Sequence, residues 1–275
     1  MEILTGQDAL QAGAGWVTNY YLKPEAYTDE WGVEWKIDPY TTPFGVGHYT
    51  NIAHNPLRDN DEAAMAYKAP DPTRPELYTH LERLVREYGQ EYYIIGRVHG
   101  TIFETAWALR GLDTLMTDFY LNPELTNHLL DETYLYHKEV VCQMVRRGVD
   151  MIWLGDDMGA QASLLIDPDL WREYFKPRMA DIIRTAKAMN PQVKIAYHTD
   201  GCNYDIIPEL IEIGLDVLNP IQTECMDPEI LQEKYGDQLC FFGGVAVQST
   251  LPQGTAEEIR REYQWLKNSI GKNGG

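Results

Sequence analysis

From about Glu91 onward the chain alternates short apolar runs with longer amphipathic stretches. Five runs stand out: YYIIGRV (92–98), DMIWL (150–154), VKIAY (193–197), LDVLN (215–219) and LCFFGGV (239–245). Short β-branched or aromatic runs that alternate with longer stretches of helical spacing predict a parallel sheet. The intervening helices have readable ends. Asn122–Pro123 opens one that runs to Arg147 ahead of Gly148, and Asp167–Pro168 opens another that runs to Met189 ahead of Asn190 and Pro191. Proline suits the first helical position because its missing N–H would have no intrahelical partner there. Further helices are predicted at 205–213, 228–235 and 256–268, the last with Thr255 and Glu258 spaced as a capping box.

The first 90 residues read differently. They are rich in Tyr, Trp, Pro and Gly, with DEWGVEWKI (29–37) as a hairpin or short strand and PDPTRPE (70–76) as a turn into a helix at 77–88. The reading is one α/β domain over 1–275, with an irregular cap and first elements over 1–90 and regular β/α units over 91–275. Such units close into a (β/α)8 TIM barrel or lie in an open doubly wound sheet. A barrel collects chemistry from many strand ends, an open sheet from one switch point. Here His99, Asp156 with Asp157, His198 with Asp200, Gln222 with Glu224, and Gln248 follow five successive strands, which favours the barrel. The last predicted helix runs into GKNGG where another strand is expected, so the barrel is expected to be incomplete at its C-terminal end and to lack N-terminal elements as well.

Charge narrows the partners. With 23 Lys and Arg against 42 Asp and Glu, the net charge of -19 repels nucleic acid and anionic membrane surfaces, so neither is expected as a partner. No window of 18 apolar residues and no basic-then-apolar leader occurs, and the four cysteines form no CxxC pair; these features predict a cytoplasmic protein with free thiols. Walker, GxGxxG, HExxH and GxSxG motifs are absent from the sequence, which removes support for NTP hydrolysis, dinucleotide redox, zincin proteolysis and the hydrolase elbow.

The candidate chemistry lies at the strand ends. His198 and Asp200 are two residues apart and share a face in extended backbone, suited to holding a metal or passing a proton, with Cys202 as a third candidate ligand. The competing reading is that His198 binds a neighbouring loop while Asp200 and Asn203 cap the next helix. Asp156 and Asp157 are adjacent, so one is expected to face the site and the other to brace a loop; capping of the next helix is again the alternative. With His198 they form the candidate catalytic set. Gln222, Gln248, Glu104 and His99 are candidate substrate-binding residues, although Glu104 also suits the first turn of a helix electrostatically.

The order of the motifs GRVHGTIFETAWALRG, GVDMIWLGDDMGAQASLLIDPDLWREYFKP, HTDG, IIPELIEIGLDVLNPIQ and FFGGVAVQSTLP resembles the uroporphyrinogen decarboxylase superfamily from Tyr92 to Gly275. That resemblance implies a (β/α)8 barrel and two activities, decarboxylation of a porphyrinogen or methyl transfer linked to a corrinoid protein. The decarboxylase branch implies an Arg-rich N-terminal segment and a helix tyrosine, where this chain has Ala108 or a neighbour. The methyltransferase branch implies a zinc-binding His-x-Cys, matched here by His198-Thr199-Asp200 with a carboxylate in the cysteine position. The expectation is therefore a methyltransferase-like enzyme with zinc or another divalent metal, a small-molecule substrate and a corrinoid supplied by a partner protein. The alternatives are a decarboxylase of porphyrin biosynthesis, a lyase without cofactor, and a non-catalytic small-molecule-binding barrel.

Overall fold

The computed structural model describes residues 6–15, 26–42, 45–272 and 274. The chain packs as two compact units, one through Gly148 and one from Val149 onward. The division falls after a long helix that ends at Arg146 and ahead of the strand predicted at 150–154.

In the first unit β1 (Ala9–Gly13) pairs in parallel with β5 (Tyr93–Arg97), with Leu10 opposite Ile94. The hairpin expected at 29–37 is part of a three-stranded antiparallel sheet, β2 (Ala26–Thr28), β3 (Glu34–Thr42) and β4 (Gly45–His54). Its first turn is built by Asp29, whose carboxylate accepts from the Trp31 and Val33 N–H groups and the Trp35 indole. Helices follow at α1 (Asp61–Ala66), α2 (Thr79–Tyr88), α3 (Phe103–Arg110), α4 (Leu112–Leu121) and α5 (Pro123–Arg146). Helix α5 opens at the predicted proline and packs on α1, α3 and α4, which ties this long helix to the first unit. The core gathers Val33, Leu57, Ala64, Leu109, Leu125 and Leu129, with Trp31, Trp35 and Trp107 packed against it.

One polar group is sunk in this unit. Arg110 is 2% exposed and is surrounded by the carboxylates of Asp118, at 2.7 Å, and Asp61, with the Leu57 carbonyl at 2.6 Å. Each nitrogen of the guanidinium therefore meets an acceptor, which a buried charge requires.

The second unit carries four parallel strands in sequence order: β6 (Met151–Gly155), β7 (Lys194–His198), β8 (Val217–Asn219) and β9 (Cys240–Phe241). Their helices are α6 (Pro168–Leu170), a π-helical turn (Trp171–Phe175) leading into α7 (Lys176–Met189), α8 (Ile207–Glu212), α9 (Pro228–Tyr235), α10 (Thr250–Gln253) and α11 (Ala256–Asn268). Asp167 and Asp227 cap α6 and α9 with their carboxylates, and the predicted capping box of Thr255 and Glu258 is formed at α11. Strand residues Ile152, Leu154, Ile195, Tyr197 and Leu218 are buried together with helix residues Ile182, Ile183, Leu210 and Leu231. Strand β9 is short, although its apolar run is long, because Gly243 and Gly244 take φ of +106° and +119° and turn the chain out of the sheet.

What positions the site is register. Gly155 pairs with His198 and His198 with Asn219, so the C-terminal ends of β6, β7 and β8 lie in one row. Side chains on or just beyond that row share the same end of the sheet, where β/α proteins place their chemistry.

Candidate active site at the ends of β6, β7 and β8

Asp157, His198 and Asp200 each present a potential ligand atom, and these atoms all lie within 4.8 Å of one another. His198 Nε2 is 3.7 Å from Asp157 Oδ1 and 4.0 Å from Asp200 Oδ1. The other ring nitrogen, Nδ1, is 2.6 Å from Asn219 Oδ1. Asp157 and His198 are about one-third exposed and Asp200 about half, so the cluster is open to a ligand from one side. Burial, followed by the Asp157 carboxylate, pushes the Asp200 carboxyl above its ordinary value, and His198 partly offsets this.

The loops that hold these side chains are locked to each other. Gly201 has a φ of +82°, and a Cβ there would come within 2.5 Å of the Gly159 carbonyl carbon. The loops after β6 and β7 thus touch backbone to backbone, an approach that only glycine allows. The Cys202 N–H donates to the Ala160 carbonyl at 2.8 Å, and the Asp200 N–H donates to Asp157 Oδ1 at 2.9 Å. Asn203, fully buried, donates its amide to the carbonyls of Thr199, Asp200 and Gly201. Thr199 donates its hydroxyl to Asn203 and accepts the Met158 N–H, so the two loops share a buried hydrogen-bonded centre.

Asp157 is in the cluster, while the adjacent Asp156 is fully buried; its N–H donates to the His198 carbonyl and its own carbonyl accepts from the Tyr197 hydroxyl. Gln222 is buried and its Oε1 accepts the Gly201 N–H at 2.9 Å, so this oxygen braces the Asp200–Gly201 turn. Gln248 has an exposed side chain, and its N–H donates to Glu224 Oε1, which also accepts from the Ser249 hydroxyl. Cys202 is half-buried and is not one of the three grouped residues; Asp157 stands with His198 and Asp200 instead. Cys225 nearby has its thiol pushed up by burial, with Cys202, Glu224 and Asp200 adding to the effect. His99, just beyond β5, and Glu104, in the first turn of α3, belong to the first unit.

The helix-capping alternatives do not describe these acids. Helix α6 is capped by Asp167, and helix α8 begins at Ile207 with Ile206 at the N-cap and no side-chain cap, so neither Asp157 nor Asp200 is used for that purpose. Asn203 turns its amide to loop carbonyls, not to the N-terminus of α8. Asn219 is the residue that sequence reasoning passed over. It was legible only as the last residue of the LDVLN strand, two residues before the turn that carries Gln222.

Chemically the cluster offers one imidazole and two carboxylates. Among the described residues no Lys or Arg pairs with Asp157 or Asp200, and the neutral groups Thr199, Asn203, Asn219 and Gln222 surround them. A nitrogen and two anionic oxygens suit a divalent cation of borderline to hard character, or a proton held between bases.

Comparison with known proteins places this geometry in a family. Residues 45–274 match the family described as uroporphyrinogen decarboxylase (URO-D). A uroporphyrinogen decarboxylase of Chlorobium luteolum is 27% identical over 154 residues, which is 56% of this chain and 41% of that protein. Another from Salinibacter ruber is 24% identical over 152 residues, 55% of this chain and 40% of that protein. The chain thus spans about two fifths of the length of these curated relatives. Among solved structures, a methyltransferase from Methanosarcina mazei superposes with a TM-score of 0.70 at 17% identity, covering 97% of this chain and 73% of its own. At this identity the superposition shows the fold alone, an α/β TIM barrel. With the family match covering most of its length, the chain belongs to the uroporphyrinogen decarboxylase (URO-D) family.

Proposed function

We propose that this chain is a methyltransferase-like member of the URO-D family that binds a divalent metal ion through Asp157, His198 and Asp200. The observation that carries the reading is the convergence of three ligand atoms within 4.8 Å on loops locked by Gly159, Gly201 and Asn203. Three donors bearing lone pairs, two of them on carboxylates, repel one another across such a distance unless a cation or a proton lies among them. The donor set fits zinc or another divalent ion; with oxygen in place of sulfur it leans away from a thiolate-rich zinc site.

A metal held there supplies Lewis-acid activation of an acceptor such as a thiol, lowering its pKa. The protein's own part is to fix the donors. The Asp200 N–H held by Asp157 and the Gly201 N–H held by Gln222 keep the turn closed, so Asp200 does not swing away from His198. The exposed side of the cluster receives the small-molecule substrate, and a corrinoid-bearing partner protein presents the methyl group. In this reading His198 and Asp157 also serve as proton carriers when the site is unloaded, and Gln248 contributes a substrate contact.

The decarboxylase reading draws on the names of the curated relatives. A porphyrinogen bearing many carboxylates needs cations to grip it, whereas the groups hydrogen-bonded around the Asp157–His198–Asp200 cluster are neutral. Assay of the purified protein with methylcobalamin and a thiol acceptor, in parallel with uroporphyrinogen, separates the readings. Metal-dependent demethylation lost in His198→Ala supports methyl transfer. Metal-independent release of carbon dioxide from the porphyrinogen overturns it, and tight ligand binding without turnover in either assay marks a non-catalytic barrel.

A further inference from the structure

We infer that Asn219 is a positioning residue that fixes the tautomer of His198, and thereby decides which ring nitrogen is offered to a metal; the inference rests on the metal-binding reading above. Asn219 Nδ2 donates to the Phe242 carbonyl at 3.0 Å. A carbonyl only accepts, so it dictates which end of the amide is the NH2, and the opposite end, Oδ1, must be the atom that faces His198. Oδ1 is itself only an acceptor and lies 2.6 Å from Nδ1, so Nδ1 carries the hydrogen. In the neutral imidazole this leaves the lone pair on Nε2, the nitrogen that faces Asp157 and Asp200.

The placement is architectural. Asn219 ends β8 and is paired with His198 at the end of β7, while Phe242 lies just beyond β9, so three adjacent strands set one proton. Asn219 is 8% exposed, so water competes little for either bond. A neutral amide in this place also matters for charge. Two carboxylates balance a divalent cation, and a carboxylate at position 219 would add a third negative group beside it. A partner that orients a ligand histidine typically contributes about ten- to a hundredfold in metal affinity.

The test reads the tautomer directly and the metal separately. Long-range proton–nitrogen correlation spectra of the isotopically labelled full chain without metal, at a pH where the imidazole is neutral, are expected to show His198 as the Nδ1–H form. Asn219→Leu should give a mixture or the Nε2–H form, and should weaken zinc or manganese binding, measured by calorimetry, by about ten- to a hundredfold. Asn219→Asp restores an acceptor for Nδ1 and should restore the Nδ1–H form. An Nε2–H form in the unsubstituted protein, or an unchanged tautomer in a folded Asn219→Leu protein, overturns the inference even if metal binds. The Nδ1–H form in a protein that binds neither metal leaves Asn219 as the tautomer-setting group and overturns the metal-binding reading instead.

Discussion

The two units each contain a cluster of charged side chains, and the clusters are opposites. Around Arg110 a single cation meets the carboxylates of Asp118 and Asp61 and two backbone carbonyls, with the Arg110 and Asp118 side chains almost wholly buried. Around His198 two carboxylates meet an imidazole, no Lys or Arg among the described residues answers them, and the group is open on one side. The first arrangement satisfies its charges internally and has nothing left to offer a ligand. The second is held rigid by hydrogen bonds between its loops while no cationic side chain among the described residues answers its carboxylates, which is the expected arrangement of a binding site. Accordingly, substitutions should cost stability in the first cluster and binding in the second.

The largest effect is expected at Arg110. Arg110→Met strands the buried Asp118 carboxylate, and loss of one partner from a buried pair typically costs about 3–5 kcal/mol. Urea unfolding should show this drop. A loss under about 1 kcal/mol would mean that water reaches the pair and that the contrast between the clusters is false.

Next is a pH effect in the first unit. His137 is buried, stacked on Trp31 with ring centroids 5.6 Å apart, and burial holds its pKa down at about 4. The unfolded chain takes up a proton near 6.5 that the folded chain refuses until about 4, so the unfolded state binds more protons in that window. Stability should therefore fall as pH drops from 6.5 toward 4, by up to about 3 kcal/mol, and be insensitive to this group above 6.5. Urea midpoints across that range should flatten in His137→Phe, and an equal slope in both proteins would count against the buried neutral imidazole.

In the second unit, Gly201→Ala should cost about 2 kcal/mol, because a side chain at positive φ also collides with the Gly159 backbone. It should abolish metal binding as well, since the two loops must part. The smallest stability effect is expected at Asp200→Asn. Removing one of two carboxylates from an unanswered pair should leave the unfolding free energy within about 1 kcal/mol of the original, or raise it, while weakening cation binding. A large destabilisation would reveal Asp200 as a structural group.

The same contrast explains what could be read from the chain. The strands at 150–154 and 193–197 were legible because consecutive residues, Ile152–Leu154 and Ile195–Tyr197, are buried and hence apolar, and that at 92–98 because its Ile94–Ile95 pair is β-branched, although Tyr93 is exposed. Strand β1, ALQAG, was not, since its mixed residues carry neither alternation nor a β-branched run. The capping box at Thr255 was legible because it is local, whereas the π-helical turn at Trp171–Phe175 has no comparable mark.

In the site, His198 and Asp200 were found by spacing, yet β7 ends at His198 and Asp200 lies in the turn beyond it. What returns Asp200 to the imidazole is the Gly159–Gly201 contact, which joins residues 42 apart in the chain. Local spacing likewise pointed to Cys202 as the third ligand candidate, whereas the grouped residue is Asp157, carried there by β6–β7 register. Asn219 has the same origin. Its importance comes from pairing with His198 across strands, which no local pattern records.

The most direct test of the account is calorimetric titration of zinc or manganese into the metal-free full chain, alongside Asp157→Asn, His198→Ala and Asp200→Asn proteins that unfold normally in urea. The account predicts one ion per chain in the original protein and markedly weaker binding in all three variants. Failure of the original protein to bind either ion, or binding that survives all three substitutions, would contradict it.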